Sequence, residues 1–451
     1  MNELDSFFSP RSIALVGAST DPAHLGGIVF DNLRSFRGEL FPINPCHPDI
    51  HGMACYRSIR DLPGPVDLSV ILLPAAEIPR LLKEHAGITR CAVIVSSGFA
   101  ESGDEARQEE VARLGRELGI RIIGPNCLGV YNPYLNLDTF FLSHDRMRRP
   151  KKGNVALVSQ SGALLVCLLE SLALTGRGVS RGINYGNAVD IDAPDIYDYL
   201  ADDPQTDVVV SYLESVGDGR RFVAAAQRLA GKKPLLLLKA GKGEGGQRAA
   251  YSHTGRLAGR YEVFSSIMRQ AGIHETADFE ELLDGVHALS EQRQGTGNRV
   301  CIVTNAGGLG VLAADECSRL GLPLPSLPDR IRQRLHERFP PYYSLANPLD
   351  LTGMVRDEDY PATLSEVCDA YDGFLVIAHT GVVGLSARLP DLLAQFRAGT
   401  GKPLVAHLAP GGITAQMEKG FEKAGIPVYP SPERGVRGLR ALLKASPSVL
   451  G

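Results

Sequence analysis

One histidine is set apart by its neighbours. His253 lies in the run Ser252-His253-Thr254-Gly255, between two hydroxyl residues and just before a glycine. The run follows an apolar strand at 234–238 and a glycine-rich segment at 239–246, so we expect a mobile loop that carries an accessible imidazole. Such an imidazole can act as a base, a metal ligand or a nucleophile towards phosphorus. A lone histidine in a loop is more often an ordinary surface residue, so the rest of the chain has to decide between these interpretations.

The composition is typical of a globular protein and excludes several functional classes. The 451 residues are 44% apolar and 22% charged, enough for about two to four domains. A net charge of −4 predicts neither nucleic-acid binding nor membrane-surface binding. The eight cysteines form no C-x-x-C pair, so we expect no metal site and no disulfide framework. Single cysteines, an acidic start and the lack of an apolar run of ~20 residues predict a cytoplasmic protein without a membrane span.

Short aliphatic runs alternate with helical patterns along the whole chain, which predicts an α/β fold with parallel sheets covered by helices. The alternation starts anew near residues 12, 154 and 299. Polar segments precede the second and third starts. The basic segment 144–153 and the glycine-rich segment 291–298 are therefore predicted to be linkers, with the charges of the first in solvent. Contact of the basic segment with a phosphate-rich ligand or an acidic partner is the alternative.

The first module opens with an arrangement that is typical of phosphate binding. The strand 12–16 runs into Gly17-Ala18-Ser19-Thr20, and a helix is expected from about Gly26. The spacing is not G-x-G-x-x-G, and no acidic residue follows the strand at 40–43 to bind an NAD ribose, so an ordinary strand–helix turn remains an alternative. Later strand ends carry proline, glycine and serine at 73–75, 96–101 and 124–129, which suggests an extended ligand across them or simply turns.

The second module opens with a stronger anion-binding pattern. Ser159-Gln160-Ser161-Gly162 separates the strand 154–159 from the helix 163–173, so hydroxyl and backbone N–H groups converge at a helix start. A helix cap at Ser161 would explain only one of these residues. The strand 208–213 ends at Glu214, a carboxylate that can orient an imidazole. In the third module Asn305-Ala306-Gly307-Gly308 again precedes a helix, either for an anion or for tight packing.

Taken together, six motifs resemble the α-type chain of ADP- or GDP-forming acyl-CoA synthetases, the family that includes succinyl-CoA synthetase, and look closest to its acetate-type, archaeal-style branch. They occur in the family's order over nearly the whole chain: Val16-Gly17-Ala18-Ser19, residues 124–129, residues 158–163, Tyr212-Leu213-Glu214, Ser252-His253-Thr254-Gly255 and residues 303–308.

The resemblance implies three tandem doubly wound modules. A CoA-binding Rossmann-like domain is expected at 1–140, a flavodoxin-like ligase domain with the phosphohistidine loop at 153–292, and a second flavodoxin-like ligase domain at 297–451. By resemblance, His253 is phosphorylated and Glu214 supports it. The phosphate-binding residues would be Ser159, Gln160, Ser161, Gly162 and Ala163. The CoA-binding residues would be Gly17, Ala18, Ser19, Asn44, Pro45, Pro74, Gly98 and Asn126. His24 stands where relatives often carry a lysine, so a charged contact with a CoA phosphate is not expected from that position.

The implied reaction interconverts acyl-CoA, phosphate and ADP with a carboxylic acid, CoA and ATP, through an acyl phosphate and phospho-His253. The family's ATP-grasp domain is not visible in the sequence. We therefore expect ADP or ATP with Mg²⁺ to bind a separate β subunit in a hetero-oligomer. A non-catalytic CoA- or acyl-CoA-binding regulatory protein of the same fold is the alternative. A dinucleotide-dependent oxidoreductase is a weaker one, because the acid for the ribose is missing.

Overall fold

The computed structural model describes residues 2–254 and 260–444, and for residues 250–254 it describes the backbone only. The chain divides into two compact units, Met1–Glu275 and Thr276–Gly451. Three large sheets, each mostly parallel and covered by helices, form the framework of the two units. The predicted α/β class and its doubly wound, Rossmann-like and flavodoxin-like modules are confirmed.

The first sheet of the first unit has five parallel strands in the order β2-β1-β5-β6-β7. Its central strands are aliphatic and buried on both faces, as expected for a parallel sheet between helices. The elements in chain order are α1 (Asp5–Phe8), β1 (Ser12–Val16), α2 (Leu25–Leu33), β2 (Glu39–Ile43), β3 (Asp49–Ile50), β4 (Met53–Ala54), β5 (Val66–Ile71), α3 (Ile78–His85), β6 (Thr89–Ile94), α4 (Glu105–Leu118) and β7 (Arg121–Ile123).

The second sheet of this unit has seven strands in the order β14-β13-β12-β10-β11-β8-β9. Only the hairpin β8-β9 runs antiparallel to its neighbours among these strands. The elements are β8 (Gly129–Asn132), β9 (Leu137–Asp138), β10 (Lys152–Ser159), α5 (Gly162–Leu174), β11 (Val179–Asn184), α6 (Ala193–Asp202), β12 (Val208–Leu213), α7 (Gly219–Lys232), β13 (Leu235–Lys239), α8 (Glu244–Thr254), α9 (Tyr261–Gln270) and β14 (His274–Glu275).

The hairpin β8-β9 links the first two predicted modules. By sequence it falls before residue 140, in the predicted CoA-binding domain, yet it extends the sheet of the next module. Tyr131 lies opposite Gly182 of β11, and all four residues of β8 are buried. The hairpin therefore packs in the second sheet, although it precedes residue 140 in the chain. The domain boundary at residue 140 stays a prediction.

The second unit contains a six-stranded sheet in the order β17-β18-β16-β19-β20-β21 and the small pair β15-β22. The elements are α10 (Phe279–Glu291), β15 (Gly295–Thr296), β16 (Val300–Thr304), α11 (Gly307–Arg319), α12 (Asp329–Arg338), β17 (Ser344–Leu345), β18 (Leu349–Asp350), α13 (Asp359–Val367), β19 (Gly373–His379), α14 (Leu389–Thr400), β20 (Leu404–Ala409), α15 (Thr414–Lys423), β21 (Val428–Tyr429), α16 (Pro432–Leu442) and β22 (Leu443–Lys444).

Helix α10 packs within this second unit, although the second predicted module extended to residue 292. It lies against α16. The buried carboxylate of Asp284 accepts two hydrogen bonds from the Arg434 guanidinium, at 2.9 Å and 2.7 Å. A buried carboxylate needs such a partner, which ties α10 to α16.

The basic segment 144–153 is not the solvated linker that its charge suggested. The side chain of Arg149 is only 7% exposed, and its Nε donates to Asp138 Oδ2 at 2.8 Å. A second guanidinium nitrogen donates to the carbonyl of Leu142 at 2.7 Å. The prediction of a solvated run is wrong at this residue, because a buried carboxylate from β9 supplies the partner that lets a guanidinium leave water.

Across residues 2–254 and 260–444, no helix is long and apolar enough to cross a membrane. The same ranges contain no group of three histidine, cysteine, aspartate or glutamate side chains placed to hold a metal ion.

Candidate active site

The turn after β1 brings the first predicted ligand residues together. Gly17 has a φ of +91°, a conformation that glycine adopts without strain. At the end of the neighbouring strand, Asn44 Nδ2 donates to the carbonyl of Ala18 at 2.7 Å. Ser19 Oγ accepts a hydrogen bond from Asp21 N at 3.1 Å. Gly17, Ala18, Ser19, Asn44 and the adjoining Pro45 thus share the carboxyl edge of β1 and β2, where ligands bind in such sheets.

Helix α2 approaches this turn more closely than any side chain would permit. A Cβ added at Gly26 would lie 1.9 Å from the carbonyl oxygen of Gly17. The helix begins with His24 as its cap, since His24 Nδ1 accepts a hydrogen bond from Gly26 N at 3.1 Å. His24, at the position where the family resemblance led us to expect a lysine, therefore caps the helix.

The loops after β5, β6 and β7 carry the next predicted residues. A Cβ at Gly98 would lie 3.3 Å from the Cβ of Ala75, the neighbour of Pro74. Asn126 has a φ of +55°, and its N–H donates to the carbonyl of Ser96 at 2.8 Å. These contacts align three successive strand ends along one edge of the sheet.

The start of α5 has the geometry of an anion site. Ser161 caps the helix, accepting a hydrogen bond from Leu164 N at 3.4 Å. The N–H groups of Gly162 and Ala163 have no acceptor among the described residues. Free N–H groups at a helix start attract anions. The side chain of Ser159 is already engaged, because its Oγ accepts from Ser161 N at 3.1 Å and donates to Ser161 O at 2.7 Å.

Gln160 connects the α5 turn to Glu214. Its Oε1 accepts hydrogen bonds from the N–H groups of Glu214, at 2.5 Å, and Ser215, at 2.9 Å. Its Nε2 donates to Ser215 Oγ at 3.2 Å. The carboxamide of Gln160 thus fixes the end of β12, and phosphate binding by Gln160 stays a prediction.

Glu214 itself is buried, with 5% of its surface exposed. The phenol of Tyr212 forms a hydrogen bond with the Glu214 side chain, and burial together with the Glu214 charge raises the pKa of Tyr212 above its usual value. From the next strand, Lys239 Nζ donates to the carbonyl oxygen of Glu214 at 2.7 Å. The Tyr212 phenol of β12 thus contacts the Glu214 carboxylate, and Lys239 of β13 holds the backbone of the same residue.

Asn184, at the end of β11, is a structural residue that the sequence did not reveal. Its Nδ2 donates to the carbonyls of Ser159, at 2.8 Å, and Gln160, at 3.0 Å, while its Oδ1 accepts from Leu128 N at 2.7 Å. It clamps the strand end that leads into α5. Its position at the carboxyl end of a strand could have indicated this role in the sequence. Many asparagines occupy such positions, so the position alone does not identify the role.

A cavity of about 910 Å³ joins several of these features. It is lined by Pro74 and Asn126 from the predicted CoA set and by Gln160 and the start of α5 from the predicted phosphate set. Apart from His24, no basic side chain lines it within the described parts of the chain. The remaining predicted residues do not line it, namely Gly17, Ala18, Ser19, Asn44, Pro45, Gly98, Ser159 and Glu214.

The backbone of His253 belongs to helix α8, not to the loop expected from the glycine-rich segment. The helix starts at Glu244, an acidic residue that favours a helix start, and includes Gly245 and Gly246. It runs beside the short turn Ala100–Ser102 of the first sheet. The side chains of residues 250–254 lie outside the described residues, as do residues 255–259, so the structure does not relate the His253 imidazole to Glu214.

In the second unit, the turn before α11 matches the third predicted anion loop. The helix begins at Gly307 without a side-chain cap. A Cβ at Gly307 would lie 2.5 Å from Asp350 Oδ2, so a carboxylate already occupies the space beside this turn. This contact gives Gly307 a packing role, and anion binding there stays a prediction.

Family models cover most of the chain. Residues 11–133 match a CoA binding domain, residues 152–289 a succinyl-CoA ligase-like flavodoxin domain, and residues 300–441 a ligase-CoA domain. The α subunit of ADP-forming acetate–CoA ligase II from Pyrococcus furiosus is 37% identical over 99% of both chains. The chain belongs to the family of ADP-forming acetate–CoA ligase α subunits.

Other members of this α-subunit family are longer or have known structures. The ADP-forming acetate–CoA ligase of Methanocaldococcus jannaschii is 36% identical over 98% of this chain, which spans only 63% of that relative. The dinucleotide-forming acetyl-coenzyme A synthetase 1 of Ca. Korarchaeum cryptofilum, solved in complex with phosphate and ADP, superposes with a TM-score of 0.88 at 33% identity. That match covers 98% of this chain and 96% of the other.

Proposed function

We propose that this chain is the catalytic α-type subunit of an NDP-forming acyl-CoA synthetase. It interconverts acyl-CoA, phosphate and ADP with a carboxylic acid, CoA and ATP, through an acyl phosphate and phospho-His253. The observation that carries the proposal is the cavity that joins the strand-end loops of the first sheet to the start of α5. A thioester held along the loops would meet an anion held at the helix start in that one space.

CoA binds, in this proposal, along the carboxyl edge of the first sheet. The turn at Gly17, Ala18 and Ser19 and the loops bearing Asn44, Pro45, Pro74, Gly98 and Asn126 hold it. No lysine, arginine, aspartate or glutamate of the described residues lines the cavity, which fits the uncharged arm that carries the CoA thiol. The CoA phosphates would lie outside this cavity.

Phosphate binds at the start of α5. The N–H groups of Gly162 and Ala163, which have no acceptor in the described parts of the chain, donate to it, and the Ser161 cap keeps the turn in place. Ser159 and Gln160 act through the protein, because their side chains are occupied by Ser161 and by the Glu214–Ser215 backbone. A phosphate oxygen attacks the thioester carbonyl, and the CoA thiolate leaves.

The second step transfers the phosphoryl group to His253. An unprotonated ring nitrogen attacks phosphorus, the P–O bond to the acyl group breaks, and the carboxylate leaves. Glu214 accepts a hydrogen bond from the other ring N–H, which fixes the tautomer and stabilises the charge that develops on the ring.

The third step needs a partner. We propose that an ATP-grasp β subunit binds ADP with Mg²⁺ and takes the phosphoryl group from His253. Relatives such as the Methanocaldococcus jannaschii protein extend well beyond this chain, which supports a further functional part. In the second unit, Val311, Met354 and Val383 are large apolar side chains with more than half of their surface exposed, as expected where a partner covers them.

A direct test is to incubate the purified full-length chain with ³²P-phosphate and a set of acyl-CoA thioesters, acetyl-CoA first. We expect an acid-labile, base-stable label on the protein. His253→Ala should abolish the label and leave CoA affinity intact, and Glu214→Gln should slow labelling by ~10²-fold or more. Labelling of His253→Ala at the wild-type rate would refute the mechanism.

The alternative, a non-catalytic CoA-binding protein of the same fold, predicts a different result. Such a protein would bind CoA in calorimetry and show no label with any acyl-CoA. ATP synthesis by the single chain, with no partner detectable, would instead contradict the need for a β subunit.

A further inference from the structure

Lys239 ends β13 with a side chain that is almost fully buried, at 4% exposure. Its Nζ donates to two backbone carbonyls, those of Glu214 at 2.7 Å and Ala240 at 2.5 Å. The ring of Phe264 lies beside the same ammonium, with its centroid 5.8 Å from Nζ. The side chain thus joins the carboxyl ends of β12 and β13.

A buried ammonium group is costly, so its charge needs a reason. Burial lowers the pKa of Lys239 to about 8, against the opposing effects of the Glu214 and Glu275 carboxylates, while the Lys242 charge lowers it further. An unbranched apolar side chain such as methionine could fill much of the same space at less cost. What a lysine adds is a positive charge next to the buried Glu214.

We propose that Lys239 is a positioning residue for the phosphoryl-transfer site: its ammonium group holds the Glu214 backbone, and the positive charge placed there attracts the Glu214 carboxylate. This role rests on the proposed function, in which Glu214 accepts a hydrogen bond from His253. Nothing requires Lys239 to touch the substrate, so it acts through Glu214.

Two consequences follow when the ammonium loses its proton or is removed. The carbonyl of Glu214 loses part of its anchor, so the carboxylate is held less firmly. The site also becomes more negative by one charge, which disfavours the incoming phosphate dianion. Both effects slow the phosphorylation of His253.

Lys233, at the other end of β13, offers a matched control. It is partly buried and, like Lys239, donates to two backbone carbonyls, those of Leu200 at 2.6 Å and Asp203 at 2.5 Å. Burial also lowers its pKa. Lys233 lies just before the start of β13, whereas Glu214 and Lys239 lie at the carboxyl ends of β12 and β13. Lys233 therefore offers the same chemistry at the opposite end of the parallel strands.

The experiment measures the rate of ³²P labelling from acetyl-CoA and phosphate between pH 6 and 10. Acyl-CoA carries no free thiol, and burial raises the pKa of Tyr212 and the pKa of Tyr261, the latter to about 12, so neither the thioester nor these phenols titrate near pH 8. Inorganic phosphate is already mostly a dianion at pH 8, so its own ionisation does not produce a fall in rate above that pH. We expect the wild-type rate to fall about tenfold per pH unit above about pH 8. Lys239→Arg should move this fall to higher pH, because a guanidinium stays charged. Lys239→Met should give a low rate without the fall.

Lys233→Arg and Lys233→Met should keep the wild-type pH profile. The proposal is overturned if the wild-type rate is flat from pH 7 to 9, or if Lys239→Arg keeps the wild-type fall. It is also overturned if both Lys239 variants lose activity equally at every pH, which is what a purely structural role predicts. No label on the wild-type chain with any acyl-CoA would overturn the proposed function itself, and the role of Lys239 with it.

Discussion

The carboxamide of Gln160 holds the backbone of Glu214. Its Oε1 lies 2.5 Å from Glu214 N and 2.9 Å from Ser215 N. Gln160 belongs to the turn that starts α5, and Glu214 follows β12. Gln160 therefore connects the proposed phosphate site to Glu214, the proposed support for the histidine. A substitution at Gln160 should alter the geometry of both.

Gln160→Ala should leave two buried N–H groups without an acceptor. We expect a loss of about 1–3 kcal/mol in the free energy of unfolding and slower labelling of the protein. Gln160→Glu keeps an acceptor for both N–H groups but adds a negative charge, so it should cost less stability and still slow labelling. Denaturant unfolding and ³²P labelling separate the two effects.

Gln227, an exposed residue of α7, is the matched control. Gln227→Ala should change the free energy of unfolding by less than about 0.5 kcal/mol and leave labelling unchanged. Equal labelling rates for Gln160→Glu and wild type would contradict the link between the two sites.

Asn184 should contribute to stability and to phosphate binding by holding the carbonyls of Ser159 and Gln160. Asn184→Asp can still accept from Leu128 N but cannot donate to the carbonyls of Ser159 and Gln160. We expect a loss of about 1–3 kcal/mol in unfolding free energy and weaker phosphate binding, measured by calorimetry. Asn154→Ala, which removes only an exposed bond to Asp207, should change neither quantity.

The fold and the strand-end positions could be predicted because they depend on local patterns. The aliphatic run 12–16, the turn at Gly17 and the cap at Ser161 each follow from a few consecutive residues. The α/β class and the family are confirmed. The site residues stay predictions, although the structure places Ala18 beside Asn44 and joins Pro74, Asn126 and the start of α5 in one cavity.

The remaining features depend on contacts that are distant in the sequence. Asn184 and Lys239 act on carbonyls of other strands, 24–25 residues away. Arg149 is buried because its guanidinium forms a hydrogen bond with the buried carboxylate of Asp138. The helix that contains His253 formed in spite of its glycines, against their weak helix propensity. The residues next to Asn184, Lys239 and Arg149 in the sequence do not indicate which groups these side chains bind.

Gly26 should be intolerant of any side chain. A Cβ there would lie 1.9 Å from the carbonyl oxygen of Gly17, so Gly26→Ala must push α2 away from the turn. We expect overpacking to cost about 1–3 kcal/mol and CoA affinity to fall about tenfold, measured by calorimetry on the full chain. Gly231→Ala, in α7 with nothing within 4 Å of the new Cβ, should keep CoA affinity and slightly raise stability.

Titration of Lys239 at alkaline pH should lower the labelling rate and raise the free energy of unfolding. Its pKa is about 8 in the native chain and 10.5 for an ordinary lysine. Between these values the unfolded chain binds more protons than the native chain, so this residue makes the free energy of unfolding rise with pH. The contribution is isolated by subtracting the pH dependence of Lys239→Met from that of the wild type. We expect the difference to increase from pH 8 to 10, while the labelling rate of the wild type falls over the same range. A difference that stays constant or decreases would mean that the native Lys239 does not titrate near pH 8, and the fall in activity would then need another cause.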